Sequence, residues 1–253
     1  MKLLRILQKQ LGSPSIIKYL EKLTASKIYT KLPHGCEPAI DIQYRFQTYQ
    51  MQTIFDVGAN IGQSAIAFRE NYPNSAIYSF EPVKATFEKL KHETQNLNIQ
   101  CFNYALGKAE EKAQMLVDEH NPFSVSNALV KERTIVQHYQ TEQVQIKSLD
   151  LFTKDQEVTN INYLKIDTEG NDLNVLKGSK ECLSQQKIDF VEAELGMNPY
   201  NQDHVPFADV VDYLRGYKYH LFGIYEQLHD FKLQKPILRR CNTVFISERM
   251  MNQ

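Results

Sequence analysis

Thr53-Ile-Phe-Asp-Val-Gly-Ala-Asn-Ile-Gly62 is the stretch that decides the fold. Five residues rich in β-formers end in an acid and a valine, and Gly58, Asn60 and Gly62 follow at alternate positions. Helix-forming Ser64-Ala-Ile-Ala-Phe68 comes next. A strand, a tight glycine turn and a helix start are how α/β proteins bring backbone against a nucleotide-like ligand. Gly58 and Gly62 allow a close backbone approach without strain, and Asn60 tolerates a left-handed conformation or donates to a carboxylate. A second apolar run, Tyr78-Ser-Phe, ends in Glu81-Pro82, nineteen positions after Gly62. An acid at that place can accept both hydroxyls of a ribose. The turn reads Asp-x-Gly-x-Asn-x-Gly rather than Gly-x-Gly-x-x-Gly, and Asp56 would repel a pyrophosphate. The charge pattern favours an adenosyl ligand carrying an ammonium group, which S-adenosylmethionine satisfies.

Outward from this core, strands and helices alternate from about residue 52 onward, the pattern of a doubly wound sheet. Strands are expected at Thr53–Val57, Ala76–Phe80, 99–104, 163–166 and 190–194, with β segments at 115–118 and 143–148 and a closing pair at 219–224 and 243–247. Helices are expected at Gln63–Asn71, 83–95, 172–183 and 206–215. Residues 1–50 read differently. They hold two helical stretches, 2–11 and 15–26, and then the turn-rich Leu32-Pro-His-Gly-Cys-Glu-Pro38. We expect a helical N-terminal extension over residues 1–50 that caps the ligand cleft of a domain spanning 51–253. Residues 119–140 are expected to form a mobile loop.

In such a sheet, ligands bind outside the carboxyl ends of the strands. The residues there are the glycine turn, Glu81, Asn103-Tyr-Ala105, Asp167-Thr-Glu169 and Glu192-Ala-Glu194. Asn103 and the backbone at Ala105 are placed to meet an adenine edge. Asp167, Glu169, Glu192 and Glu194 are expected to converge at one rim, with Glu192 and Glu194 on the same strand face. Methylating an alcohol requires removal of its proton, by a base or with help from a metal. Clustered carboxylates serve either role: one as a base raised by like-charged neighbours, or Asp167, Glu192 and Glu194 together as ligands for Mg²⁺. Some of these acids can instead cap helices, Glu169 before the 172–183 helix above all. The histidines show no metal-binding spacing and read as surface or packed residues, with His120 and His138 beside the expected loop as alternative bases.

Composition bounds the rest. A net charge of -1 over 253 residues supplies no global attraction for nucleic acid, and none is expected as a partner. The four cysteines form no paired motif, which points to a reducing cytoplasm rather than a disulfide or zinc framework. No apolar run reaches the roughly 18 residues needed to span a bilayer. Leu3, Leu4, Leu7 and Leu11 share one helical face, suited to packing against the domain or a second copy of the chain, or to resting on a membrane surface.

Taken in order, Phe55-Asp-Val-Gly-Ala-Asn-Ile-Gly62, Phe80-Glu-Pro82, Ala105-Leu-Gly107, Ser148-Leu-Asp150, Leu164-Lys-Ile-Asp-Thr-Glu-Gly170 and Val175-Leu-Lys-Gly178 resemble the FkbM-type methyltransferases. The resemblance covers about residues 52–196, and its Lys-Ile-Asp-x-Glu-Gly element separates this family from other class I methyltransferases. It implies an α/β, Rossmann-like, seven-stranded sheet with helices on both faces, S-adenosylmethionine as donor and an alcohol oxygen as acceptor. Acceptors in the family are sugars, glycans and natural products. It also implies that Asp56, Gly58, Asn60, Gly62 and Glu81 are cofactor residues. Asp167 and Glu169 occupy motif positions, while their catalytic role comes from the chemistry above. A non-catalytic partner subunit that keeps the fold is the alternative function, and a nicotinamide-dependent oxidoreductase is disfavoured by Asp56 and Asn60.

Overall fold

Mostly apolar strands of a parallel sheet are buried on both faces, and the central strands behave accordingly. The computed structural model describes residue 22 and residues 32–118, 123, 128–129, 139–229 and 236–253. The helical stretches expected at 2–11 and 15–26, most of the expected loop, and His120 and His138 lie outside the described residues, as does any subunit contact through those helices.

Seven strands form the main sheet: β1 (Thr53–Val57), β2 (Ala76–Phe80), β3 (Ile99–Phe102), β8 (Ile161–Ile166), β9 (Ile188–Gly196), β10 (Tyr219–His229) and β11 (Leu238–Ser247). Their order is β10-β11-β9-β8-β1-β2-β3. β3, β2, β1, β8 and β9 run parallel, and β11 enters antiparallel between β9 and β10. This is the expected doubly wound, seven-stranded α/β sheet, and strand order reverses between β1 and β8. All nine residues of β9 are buried.

Four further strands among the described residues make a second sheet, which takes in the β segments expected at 115–118 and 143–148: β4 (Ala105–Leu106), β5 (Glu111–Asp118), β6 (Ala128–Leu129) and β7 (Tyr139–Lys147), in the order β4-β7-β5-β6. It packs Met115, Val117 and Val144 against Val83, just after β2.

Alternation sorts the main sheet's side chains onto two cores. Phe55, Val57, Leu164, Ile166, Val191 and Ala193 face helices α4 (Leu149–Asp155), α5 (Asp172–Lys177), α6 (Lys180–Ser184) and α7 (Phe207–Arg215). Ile54, Tyr163, Phe190 and Val244 face α1 (Pro38–Arg45) and α2 (Gln63–Asn71). Helix α3 (Lys84–Thr94) packs on β3, and the short α8 (Glu248–Met251) follows β11. Phe152 of α4 sets its ring edge-on to Phe55, Tyr78, Phe80 and Phe102, with centroids 4.9 to 5.8 Å apart.

One element expectation is corrected. The single helix expected over 172–183 is two, α5 and α6, separated at Gly178-Ser179. A Cβ on Gly178 would lie 1.9 Å from the Gly107 carbonyl oxygen, so the chain must turn there for the two segments to touch. The turn-rich segment before residue 38 leads directly into α1, with Pro38 in its first turn. Ile42 joins the core, and Asp41 accepts hydrogen bonds from the Gly35 N–H and the Tyr225 hydroxyl.

Candidate active site

Backbone hydrogen bonds lace the strand ends into one rim. Gly58 and Ala59 both donate to the Phe80 carbonyl, Glu81 donates to Phe102, and Asp167 donates to Val57. Gly58 has φ +83, and a Cβ there would lie 1.9 Å from the Asp167 carbonyl oxygen. Glycine is therefore required as much by the neighbouring strand loop as by any ligand. Asn60 adopts the left-handed conformation at φ 47, and its side-chain oxygen accepts from the Ile61 N–H. Gly62, at φ +103, begins α2 against Leu90 and Thr94 and stands away from the cleft.

The cleft over this rim is lined by Gly58, Asn60, Glu81, Ala105, Leu106 and Met115 on one side. Asp167, Glu169, Glu194 and Arg240 close the other. Glu81 points into it, with one oxygen accepting from Asn60 N–H at 3.1 Å and the other from Val83 N–H at 2.9 Å. Burial raises this carboxyl to about 8, against the pull of those two backbone donors. A carboxylate fixed by backbone on a partly apolar wall is a suitable acceptor for a diol, and this fits the nucleoside end of S-adenosylmethionine. Asn103 does not line the cleft; its amide donates to the Glu81 and Pro82 carbonyls and steadies the acid from behind. Asp56 is wholly buried below the turn, raised to about 6 by burial, and neither of its oxygens has a hydrogen-bond partner among the described residues.

A second cavity adjoins the first on the α1–α2 side of the sheet. Tyr163, Lys165, Glu192 and Asn242 rise from its floor, and Phe68, Tyr72 and residues 36–39 form its walls. Asp167, Glu194 and Arg240 line both cavities, so the two meet at these side chains.

Of the four acids expected to converge, Asp167 and Glu194 line both cavities, Glu169 lines only the first and Glu192 only the second, and their partners differ. Asp167 receives the Lys165 ammonium at 2.9 Å. Glu192 is buried and accepts from the Tyr163 hydroxyl at 2.7 Å; burial raises it despite Lys165 and that bond. Glu194 bonds Arg240 through one oxygen and His204 Nε2, at 2.6 Å, through the other. Glu169 sits at φ 50 and its carboxylate lies 3.8 Å from the same nitrogen. Burial raises Glu169, and Asp167 and Asp172 add to this against His204 and Arg240.

The metal set Asp167, Glu192 and Glu194 is corrected. Among the described residues the one group that brings three ligand atoms within 4.8 Å is Glu169, Glu194 and His204. Lys165 explains the difference. Its ammonium lies beside Asp167 and 4.0 Å from Asp56, where a metal would have been needed. Burial tends to lower this lysine, but Asp167, Asp56 and Glu192 together hold it above its usual range.

Sequence reasoning did not single out Lys165 or His204. Lys165 had a signal, as a lone cation in an otherwise buried strand and two residues from Asp167 on the same face. His204 had none, since a loop alone brings it to Glu194. Arg240 belongs to the Leu238-Arg-Arg240 segment, which reads in sequence either as a solvated turn or as a site for an anionic group.

The Methyltransferase FkbM domain matches this chain over residues 56–221. The chain belongs to the FkbM methyltransferase family. A Beauveria bassiana (strain ARSEF 2860) protein named Methyltransferase 1 is 27% identical over 151 residues, which are 49% of this chain and 57% of that protein. The match thus spans little more than half of that relative's length. The structure of M. capricolum TrmK in complex with S-adenosyl-homocysteine aligns at 13% identity with TM-score 0.45, over 80% of this chain and 65% of TrmK. A TehB-like SAM-dependent methyltransferase from Corynebacterium glutamicum ATCC 13032 Kitasato aligns at 11% identity with TM-score 0.41, over 91% and 95% of the two chains. In this FkbM protein the cofactor-side wall falls within the matched span. Residues 36–39, Arg240 and Asn242 of the second cavity lie outside it.

Proposed function

We propose that this FkbM methyltransferase transfers a methyl group from S-adenosylmethionine to a hydroxyl oxygen of a sugar, glycan or glycosylated natural product. The observation that carries this is the meeting of two cavities at Asp167, Glu194 and Arg240. One suits a nucleoside and the other a polyhydroxylated acceptor. The bound cofactor supplies an electrophilic methyl group on a sulfonium centre. Glu81 would accept hydrogen bonds from the ribose hydroxyls, and the turn from Gly58 to Asn60 with Ala105, Leu106 and Met115 would hold the rest of the cofactor. At the junction, Asp167 accepts the proton of the acceptor hydroxyl. Lys165 and Arg240 place positive charge beside the clustered carboxylates and offset part of their mutual repulsion. In the second cavity, carboxylates and amides offer hydrogen bonds to hydroxyls, while Phe68 and Tyr72 offer ring faces. Residues 36–39 of the N-terminal extension supply one wall of the second cavity and help to select the acceptor.

Titration with S-adenosylhomocysteine in a calorimeter tests the donor side. Binding at one equivalent is expected, with loss in Glu81→Ala; a native chain that binds none would end the proposal. Mass spectrometry of a glycan panel incubated with S-adenosylmethionine reads the acceptor side. A gain of one methyl on oxygen is expected, abolished in Asp167→Asn with cofactor affinity kept.

A further inference from the structure

His204 is buried, and both of its ring nitrogens face acceptors. Nδ1 lies 3.1 Å from the Asn201 side-chain oxygen. That oxygen is identified by its other bonds: it accepts from the N–H groups of Asp203 and His204, while the Asn201 amide nitrogen donates to the Arg239 carbonyl. Nδ1 must therefore carry a proton. In the neutral ring Nε2 is then a lone pair, and it points at a Glu194 oxygen 2.6 Å away and a Glu169 oxygen 3.8 Å away. With no ion bound, Nε2 and Glu194 are hydrogen-bonded, and together with Glu169 they place three potential ligand atoms within 4.8 Å of one another. Asn201, which is not a member of the cluster, fixes this tautomer in the way an outer carbonyl orients a metal-binding histidine.

We propose that Glu169, Glu194 and His204 bind a divalent first-row transition ion. The ion takes the place of the proton that these three atoms would otherwise share. An imidazole with two carboxylates suits Zn²⁺, Mn²⁺ or Fe²⁺ rather than the all-oxygen preference of Mg²⁺ or Ca²⁺. Arg240 occupies the other oxygen of Glu194, which leaves that carboxylate monodentate toward the ion. Glu169 and Glu194 line the cofactor cleft, so the ion borders the junction of the two cavities. Binding of the ion stands apart from the methyl-transfer proposal; a role in polarising the acceptor hydroxyl would rest on it.

The full chain, stripped with EDTA, is titrated with Co²⁺ alone. A visible d–d absorption saturating at one equivalent and displaced by Zn²⁺ is expected. His204→Ala and Glu169→Gln should each weaken Co²⁺ binding by about tenfold or more. Glu169 is only half-buried on the cleft wall, so Glu169→Gln carries the test if His204→Ala fails to fold. No saturable absorption, or the same titration in the variants, would overturn the site. So would nitrogen NMR showing His204 protonated at both nitrogens under excess metal. S-adenosylhomocysteine binding to the metal-free native chain is read separately, so loss of the ion site and loss of the cofactor assignment are distinguishable.

Discussion

Glu81 combines three constraints that seldom coincide: deep burial, two backbone donors and a place on the cleft wall. Its carboxyl is raised from 4.5 to about 8, so the folded chain holds that proton more tightly than the unfolded chain does. The stabilising contribution is full below about 4.5 and is lost as pH rises through about 8. Asp56 and Asp172, each raised from 3.8 to about 6, act in the same direction over a lower range. The ligand-free protein should therefore lose thermal stability as pH climbs from acid toward about 8. A ribose diol donates to the ionised carboxylate, so the melting-temperature gain from S-adenosylhomocysteine should grow over that upper range. Glu81→Gln should flatten that growth in a thermal-shift series. Gly58→Ala is expected to destabilise by about 1–3 kcal/mol or more, because a left-handed φ and a backbone clash add together; urea denaturation measures it. Gly58 and Glu81 were legible because a strand-turn-helix pattern fixes the positions that follow a strand. His204 was not, since its partner Glu194 is reached through a loop of no regular period.

The elements of the main sheet were legible wherever their burial was continuous. β1, α2 and β2 have the boundaries expected from their apolar runs, and β9 extends beyond its expected core because both faces are covered. The second sheet was less legible. Its strands β5 and β7 have one exposed face, and β4 is two residues long, so no strong pattern marks them. The split between α5 and α6 depends on contact between Gly178 and Gly107, a relation across distant segments that no local propensity records. The α4 helix was not anticipated either, although Ser148 caps it by accepting from Leu151 N–H. Its importance lies in Phe152, which joins the aromatic residues of β1, β2 and β3. Phe152→Ala should cost about 3–5 kcal/mol in equilibrium unfolding. It should leave the cleft-lining residues in place, so the saturable affinity for S-adenosylhomocysteine is expected to persist where the variant is folded.

At the scale of the molecule, Asp189 joins segments far apart in sequence. Tyr49 and Asn162 donate to one of its oxygens at 2.5 and 2.9 Å, and Arg249 of α8 bonds the other. Asn162 in turn accepts from the N–H groups of Gln52 and Thr53, where β1 begins. Removing a buried, paired charge leaves its partners unsatisfied, so Asp189→Ala should destabilise by about 3–5 kcal/mol. Chemical denaturation measures the cost, and proteolysis near residue 49 should speed up before other sites do. No helix among the described residues is long and apolar enough to cross a membrane. The placement of β11 between β9 and β10 has a consequence for biogenesis. β9 waits with one bare edge while roughly forty further residues are made, and only then does β11 close the gap. A nascent chain stalled within that interval would present an adhesive hydrophobic ribbon, and chaperones would have to shield it until synthesis resumed.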